Sequence, residues 1–128
     1  MRSPVSDQPM LVLELAGVEI DHCPLTQGIW LDAGELETLF ENASEAEKLM
    51  ASFTPDPKCR EKKIRCPICR KKMEKVTVAG NIIIDRCPRK HGLWFDKGEL
   101  MQVLKEGHEG GTGKVIDLLA DMFNNIIN

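Results

Sequence analysis

The sequence contains one segment twice, and the two copies align without a gap. Residues 20–36 (IDHCPLTQGIWLDAGEL) match residues 84–100 (IDRCPRKHGLWFDKGEL) at a constant offset of 64 positions. The identical pairs are Ile20/Ile84, Asp21/Asp85, Cys23/Cys87, Pro24/Pro88, Gly28/Gly92, Trp30/Trp94, Asp32/Asp96, Gly34/Gly98, Glu35/Glu99 and Leu36/Leu100. Chance composition does not explain these identities, so we expect one supersecondary unit to be used twice.

A hairpin pattern precedes each copy. Its apolar-rich runs are residues 11–15, 18–22, 73–79 and 82–86, and the breaks between them are Ala16-Gly17 and Gly80-Asn81. Short apolar runs around a small-residue break are typical of two antiparallel strands joined by a tight turn. We therefore expect one β-hairpin in each half.

An acidic pair marks the start of a helix in each copy. Asp32 stands three positions before Glu35, and Asp96 stands three positions before Glu99. This spacing is that of a capping box, in which the Asp side chain accepts from a free helix amide and the Glu reaches back to the cap. Helix initiation therefore explains these acids better than catalysis does.

Three helical runs follow from the spacing of apolar residues. Residues 36–53 fit one bent helix or two short ones, with Ser44 and Glu47 as a second start, and the run from Leu100 stops at Gly107. A last helix is expected at residues 114–127. Its apolar stripe either docks on the chain's own core or forms a dimer or partner contact.

These elements predict an α+β fold. It consists of duplicated β-hairpin-plus-helix units and a C-terminal helix. We divide the chain into residues 1–57 (the first repeat, with an acidic helix), 58–107 (the second repeat, with its helix) and 108–128 (a flexible joint and the C-terminal helix). The longest apolar runs are far shorter than the roughly 20 residues of a membrane span, and the start lacks a signal-peptide core. We therefore expect a cytoplasmic protein.

The second repeat carries a metal-ligand pattern. Cys66 and Cys69 form Cys-x2-Cys, 17 residues follow, and Cys87 and His91 form Cys-x3-His. Two such turns separated by a hairpin bring four ligands to the corners of a tetrahedron, as structural zinc requires. We predict one Zn²⁺ per chain in a closed site without an open position. The alternative is an exposed His91 beside buried or redox-active cysteines.

The first repeat lacks this pattern. It has Thr26 and Gln27 where the second repeat has Lys90 and His91, and no Cys-x-x-Cys precedes it, so we expect no metal there. Cys23 is interpreted as a small buried side chain and Cys59 as a linker thiol. A Cys23–Cys59 pairing, or a second site that uses His22, is the alternative. His108 lies among glycines and is expected to be solvated.

Charge is distributed unevenly along the chain. Residues 1–57 carry 2 basic and 11 acidic side chains, residues 58–90 carry 12 and 3, and residues 91–128 carry 3 and 6. The basic segment is either a nucleic-acid surface or the partner of the acidic segment of the same or a neighbouring chain. The acidic segment would repel phosphate, which favours the second interpretation.

Residues 66–100 also show a family resemblance. The run CPIC…DRCPRKHGLWFDKGEL resembles the bacterial transcription-factor zinc-finger family, whose zinc ribbon is similar to that of transcription factor IIB. The family pattern has Cys-Pro-x-Cys, a hairpin, Cys-Pro-x-Cys-x-Gly-x-Trp and Leu-Asp-x-Gly-Glu-Leu. Its fourth cysteine aligns with Lys90, and His91 takes over the ligand role. The resemblance implies a zinc-binding domain in a bacterial cytoplasmic protein. We therefore expect residues 58–107 to form a zinc ribbon and residues 1–57 to form a degenerate, metal-free, zinc-ribbon-like repeat.

Two functions compete. The first is a structural zinc-binding module that mediates protein interaction in a transcription-related or regulatory setting, with a homodimer through the C-terminal helix as one form of it. The second is a nucleic-acid-binding transcription regulator. Its candidate contacts are Lys58, Arg60, Lys62, Lys63, Arg65, Arg70, Lys71, Lys72 and Lys75. We find no nucleophile with its base, no phosphate loop and no open metal site, so we do not expect an enzyme.

Overall fold

The computed structural model describes residues 1–124. The first half contains β1 (Leu11–Leu15), β2 (Val18–His22), β3 (Ile29–Asp32), α1 (Glu35–Thr38), α2 (Ala43–Ala51) and β4 (Thr54–Pro55). The second half contains β5 (Glu74–Val78), β6 (Ile82–Arg86), β7 (Gly92–Phe95), α3 (Glu99–Gly107), a 3-10 turn (Glu109–Gly111) and α4 (Lys114–Met122). The α+β class and both predicted hairpins are confirmed.

One antiparallel sheet runs through both repeats in the order β1-β2-β3-β7-β6-β5-β4. At its centre Trp30 lies opposite Trp94, and the pairs Ile29–Phe95 and Leu31–Leu93 flank them. Under the repeat offset of 64, Ile29 corresponds to Leu93 and Leu31 to Phe95, so each flanking pair corresponds to the other. Trp30 corresponds to its own partner, Trp94. The β3–β7 junction therefore lies on a pseudo-two-fold axis, and the first copy packs against the second through the paired tryptophans.

The third strand of each unit is absent from the sequence prediction, which placed a helix directly after each hairpin. β3 and β7 are four residues long, and their apolar residues are buried on both faces of the sheet. A short, continuous apolar run lacks the alternation that reveals a half-exposed strand.

The acidic pairs are only half of a capping box. The helices begin after Gly34 and Gly98, whose φ angles are 89° and 82°, without a side-chain cap. Glu35 Oε1 accepts from the Asp32 amide at 2.7 Å as predicted, but the Asp32 side chain accepts from the indole Nε1 of Trp30 at 2.9 Å. The second copy repeats both bonds, at 2.8 and 2.9 Å. The prediction of Asp as the helix cap is wrong, because each helix begins two residues later, after a glycine in the left-handed region, and the Asp side chain bonds the indole instead of a helix amide.

The first unit has two short helices. Asn42 caps α2 by accepting from the amides of Ser44 and Glu45. Helix α4 buries Val115, Ile116, Leu119 and Met122 in the chain's own core. The rest of the predicted last helix, from residue 125, lies outside the described residues. No helix within residues 1–124 is long and apolar enough to cross a membrane.

The sheet separates two buried clusters. The larger one lies between the sheet and the helices. The smaller one contains Met10, Cys23, Trp30, Cys66, Met73, Cys87 and Trp94. Each indole lies directly over a glycine of the other copy, Trp94 over Gly28 and Trp30 over Gly92. The tryptophans thus hold the two units together on the side of the sheet that carries the cysteines.

Candidate metal centre

Cys66 and Cys69 lie on a tight turn just before β5. The Cys66 amide donates to the Lys71 carbonyl at 2.8 Å, and the Arg70 amide donates to the Cys66 carbonyl at 2.9 Å. Arg70 closes the turn in the left-handed region, with a φ of 65°. The turn directs both sulfur atoms toward the β6–β7 connection.

Cys87 and His91 lie on that connection, whose turn is one residue tighter. The Lys90 amide, three residues after Cys87, donates to the Cys87 carbonyl at 3.0 Å, and Lys90 has a φ of 64°. In the Cys66 turn, the residue with this bond and a positive φ is Arg70, four residues after Cys66. Lys90 therefore turns the backbone, while His91 supplies the ligand. The His91 carbonyl also accepts from the Ala33 amide at 3.0 Å, which ties this turn to the first unit.

The four side chains converge on one point. Their ligand atoms all lie within 4.8 Å of one another. Cys69 Sγ is 3.6 Å from Cys87 Sγ, and His91 Nδ1 is 3.4 Å from Cys87 Sγ and 3.9 Å from Cys66 Sγ. Zn–S and Zn–N bonds of about 2.3 and 2.0–2.1 Å predict tetrahedral edges of about 3.8 Å for S···S and about 3.6 Å for S···N. The arrangement therefore fits a tetrahedral metal ion.

Backbone amides support the sulfur atoms. The Ile68 amide donates to Cys66 Sγ, and the Arg89 amide donates to Cys87 Sγ, both at 3.4 Å. A backbone hydrogen bond from Lys71 lowers the pKa of Cys69, whereas burial raises the pKa of Cys66. A metal ion must displace the remaining thiol protons, so its affinity falls in acid.

The first unit contains a turn equivalent to the Cys66 turn, with serines in the two ligand positions. Ser3-Pro4-Val5-Ser6 parallels Cys66-Pro67-Ile68-Cys69 at an offset of 63. The Asp7 amide donates to the Ser3 carbonyl at 3.0 Å, and Asp7 has a φ of 60°, as at Arg70. Even the isolated bridge beside each turn is repeated, as Arg2–Pro9 and Arg65–Lys72.

Hydroxyl groups surround Cys23 in this degenerate centre. Its Sγ lies 3.3 Å from Ser6 Oγ. Burial alone would raise the Cys23 pKa, but hydrogen bonds from Ser3, Ser6 and Thr26 outweigh it and lower the pKa to about 7. Ser3 and Ser6 are not among the site residues predicted from the sequence. The available signal was Ser-Pro-x-Ser, shifted by one residue from the main repeat because Asn81 lengthens the β5–β6 turn.

A family model described as "Transcription factor zinc-finger" matches residues 4–42 and 65–106, more than half of the chain. The chain belongs to this zinc-finger family. Neither a curated protein nor a solved structure matches it. The two matched segments correspond to the two pseudo-symmetric units, so the zinc-finger model also detects the unit in which serines replace cysteines. The expected transcription factor IIB-like zinc ribbon is confirmed.

The basic segment of this zinc-finger chain is mostly exposed. Its exposed members are Lys58, Arg60, Lys62, Lys63, Arg65, Arg70, Lys71 and Lys72. Lys75 differs from them because it is only 5% exposed, and its Nζ lies 2.7 Å from Asp85 Oδ1. The assignment of Lys75 to a nucleic-acid surface is wrong, since its charge is buried and paired.

The remaining sequence candidates lie apart from the metal centre. Cys23 and Cys59 are both free thiols. His22 is buried, which lowers its pKa. It belongs to no metal-binding cluster, since Cys66, Cys69, Cys87 and His91 form the one group within residues 1–124 that is suited to a metal. The expectation of a solvated His108 is wrong. Its ring stacks on Phe40 with centroids 4.4 Å apart, and Nδ1 bonds the Leu104 carbonyl at 2.8 Å.

Proposed function

We propose that this chain is a structural zinc-binding module that mediates a protein interaction, in a transcription-related or regulatory setting, and that it is not an enzyme. The observation that carries the proposal is the closed ligand set. Three thiolates and one imidazole supply four donors to a single point, so a tetrahedral ion there has no free position for water or substrate.

The donor chemistry favours zinc. Soft thiolates with one imidazole suit Zn²⁺, whereas magnesium and calcium prefer oxygen ligands. One ion per chain is expected, because in the first unit serine hydroxyl groups replace two of the three thiolates and Gln27 replaces the histidine. The free thiols favour a reducing compartment such as the bacterial cytoplasm.

Zinc would act on folding. The two ligand-bearing turns contribute Cys66 and Cys87 to the buried cluster that contains both tryptophans, so the ion would fix the packing at the junction of the units. Structural zinc contributes on the order of 10 kcal/mol of apparent binding free energy in small domains. The module would then present a rigid surface to its partner.

Elemental analysis of two matched cysteine variants tests this function. Wild type and Cys59→Ser are expected to contain one zinc per chain, whereas Cys69→Ser is expected to lose most of it. Excess chelator should unfold the wild type, as followed by circular dichroism. Full zinc in Cys69→Ser, or an unchanged melting temperature after complete zinc removal, would contradict the proposal.

Nucleic-acid binding is the second candidate, favoured by the eight exposed basic side chains of residues 58–72. Contacts of this kind release counterions, so affinity for a DNA duplex should fall steeply between about 50 and 200 mM salt. Measured binding with that salt dependence, lost on charge reversal at Lys62 and Lys63, would favour this function over a protein partner.

A further inference from the structure

The second unit contains a buried lysine held by carboxylates. Lys75 Nζ lies 2.7 Å from Asp85 Oδ1 and 3.6 Å from Glu61 Oε1, and Asp85 is 1% exposed. Asp85 pairs in register with Lys75 on one side and with Trp94 on the other. A buried carboxylate is costly unless a cation and hydrogen bonds compensate it, and here Lys75 supplies that cation.

The first unit has the same carboxylate without the lysine. Asp21 pairs in register with Trp30, as Asp85 does with Trp94, but its other neighbour is Val12. Val12 is 62% exposed, so it leaves this side of the carboxylate open to solvent. The pseudo-symmetry therefore marks a position where the second unit places the Lys75 side chain and the first unit places the shorter, uncharged side chain of Val12.

Further acids surround that position. Glu14 and Glu19 lie directly opposite each other on β1 and β2, where the second unit has the uncharged pair Thr77 and Ile83. Asp32 follows on β3, and Glu35 begins α1. We call Glu14, Glu19, Asp21, Asp32 and Glu35 the acidic face.

The acids of this face are mutually repulsive. Burial, and then the charges of Asp32 and Glu19, raise the pKa of Asp21 despite the opposing charge of the Met1 ammonium. Burial, and then the nearby acids, raise the pKa of Glu35. The side-chain ion pairs found in residues 1–124 join Lys75 to Glu61 and Asp85, and Arg86 to Glu74, so all of them belong to the second unit.

We propose that the acidic face binds a lysine or arginine side chain from a basic, extended segment of a partner protein. The incoming cation takes the place beside Asp21 and Asp32 that Lys75 Nζ takes beside Asp85 in the second unit. This inference rests on the proposed role as a protein-interaction module and names the chemistry of its partner.

Three features of the surface fit this occupant. The carboxylates select a cation and repel nucleic acids and anionic lipids. The exposed Val12 offers an apolar contact to the methylene stem of the bound side chain. β1 is the terminal strand of the sheet, so an extended segment can lie alongside it and pair with its backbone.

A peptide titration tests the inference on the full, zinc-loaded chain. The probe is a blocked pentapeptide with alternating lysine and valine, and its control peptide has glutamine in place of lysine. Val12→Lys supplies the missing ammonium from within the chain and is expected to weaken binding about tenfold or more. Leu25→Lys is the matched control, since Leu25 is 70% exposed and its counterpart in the second unit is Arg89.

The expected result is salt-sensitive binding of the lysine peptide to wild type and Leu25→Lys, seen as shifts of the Asp21 and Glu35 resonances. Equal binding to Val12→Lys, equal binding of the glutamine peptide, or no binding at millimolar peptide would overturn the inference. Wild-type self-association that Val12→Lys abolishes would overturn the partner assignment in favour of a second copy. Zinc content, measured on the same samples, separates failure of this site from failure of the zinc module.

Discussion

Replacing Gly92 by alanine should break the junction between the two units. A Cβ atom built at Gly92 lies less than 3.0 Å from the Leu31 carbonyl oxygen and 2.6 Å from Cζ2 of Trp30. The carbonyl belongs to the neighbouring central strand, and Trp30 is completely buried, so neither neighbour can move without disturbing the sheet.

The expected cost of Gly92→Ala is at least about 3 kcal/mol, the upper part of the usual range for overpacking. For a chain of this size that corresponds to a fall in melting temperature of roughly 10 °C or more. Gly28→Ala should cost less, because the three atoms nearest to its new methyl group belong to the Trp94 side chain and none of them is a backbone atom. Urea unfolding with excess zinc, followed by tryptophan fluorescence, measures both values.

Gly98→Ala provides the control for this experiment. Gly98 has a φ of 82°, but a Cβ atom there meets nothing within 4 Å. Its replacement should therefore cost only the left-handed backbone penalty of about 1 kcal/mol. If Gly92→Ala is no more destabilising than Gly98→Ala, the close packing of the indoles does not hold the units together.

Two further predictions concern protonation and metal binding. Burial raises the Glu99 pKa to about 7 from its ordinary 4.5, so the folded state binds the proton more tightly and Glu99 costs stability as pH rises through that window. Glu99→Gln should therefore have a higher free energy of unfolding than wild type at pH 8, by about 1–3 kcal/mol, and this difference should vanish toward pH 4.5. Urea titrations of both proteins at each pH measure it. A difference that does not change with pH would refute the raised Glu99 pKa. Replacing Ser3, Ser6 and Thr26 together by cysteine should raise the zinc content from one to two ions per chain, since the turns of the first unit already have the ligand geometry. Elemental analysis measures the zinc content, and a value that stays at one would show that these turns lack that geometry.

Much of the fold follows from the sequence because the repeat and the hairpins have strong local signals. The predicted strands at residues 11–15, 18–22 and 82–86 have the bounds found in the structure. The pairing of β3 with β7 depends on packing between distant segments, and its short apolar strands carry no periodicity of their own. Local patterns therefore predict the units, while the pairing of β3 with β7 that joins them requires the structure.

The candidate metal centre, too, is predictable from the sequence only in part. Cysteine and histidine spacing predicts a ligand set, because few other roles need these residues at these intervals. Ser3 and Ser6 were missed because serine is common and their offset differs by one residue from the main repeat. Lys75 was assigned to the nucleic-acid surface because the sequence gives the number of basic residues but does not show that Lys75 is buried and paired with Asp85.

The pseudo-two-fold junction has a consequence for how such a chain diverges. Two separate copies would each need enough affinity to find a partner, whereas covalent linkage keeps the β3 edge at a high effective concentration beside β7. One half can then have serines in place of two of the three thiolates, as at Ser3 and Ser6, and still be held in its fold by pairing with the other half. Linkage thus lets the first half keep its fold without a metal of its own, while its β1–β2 surface carries a set of carboxylates that the second half lacks.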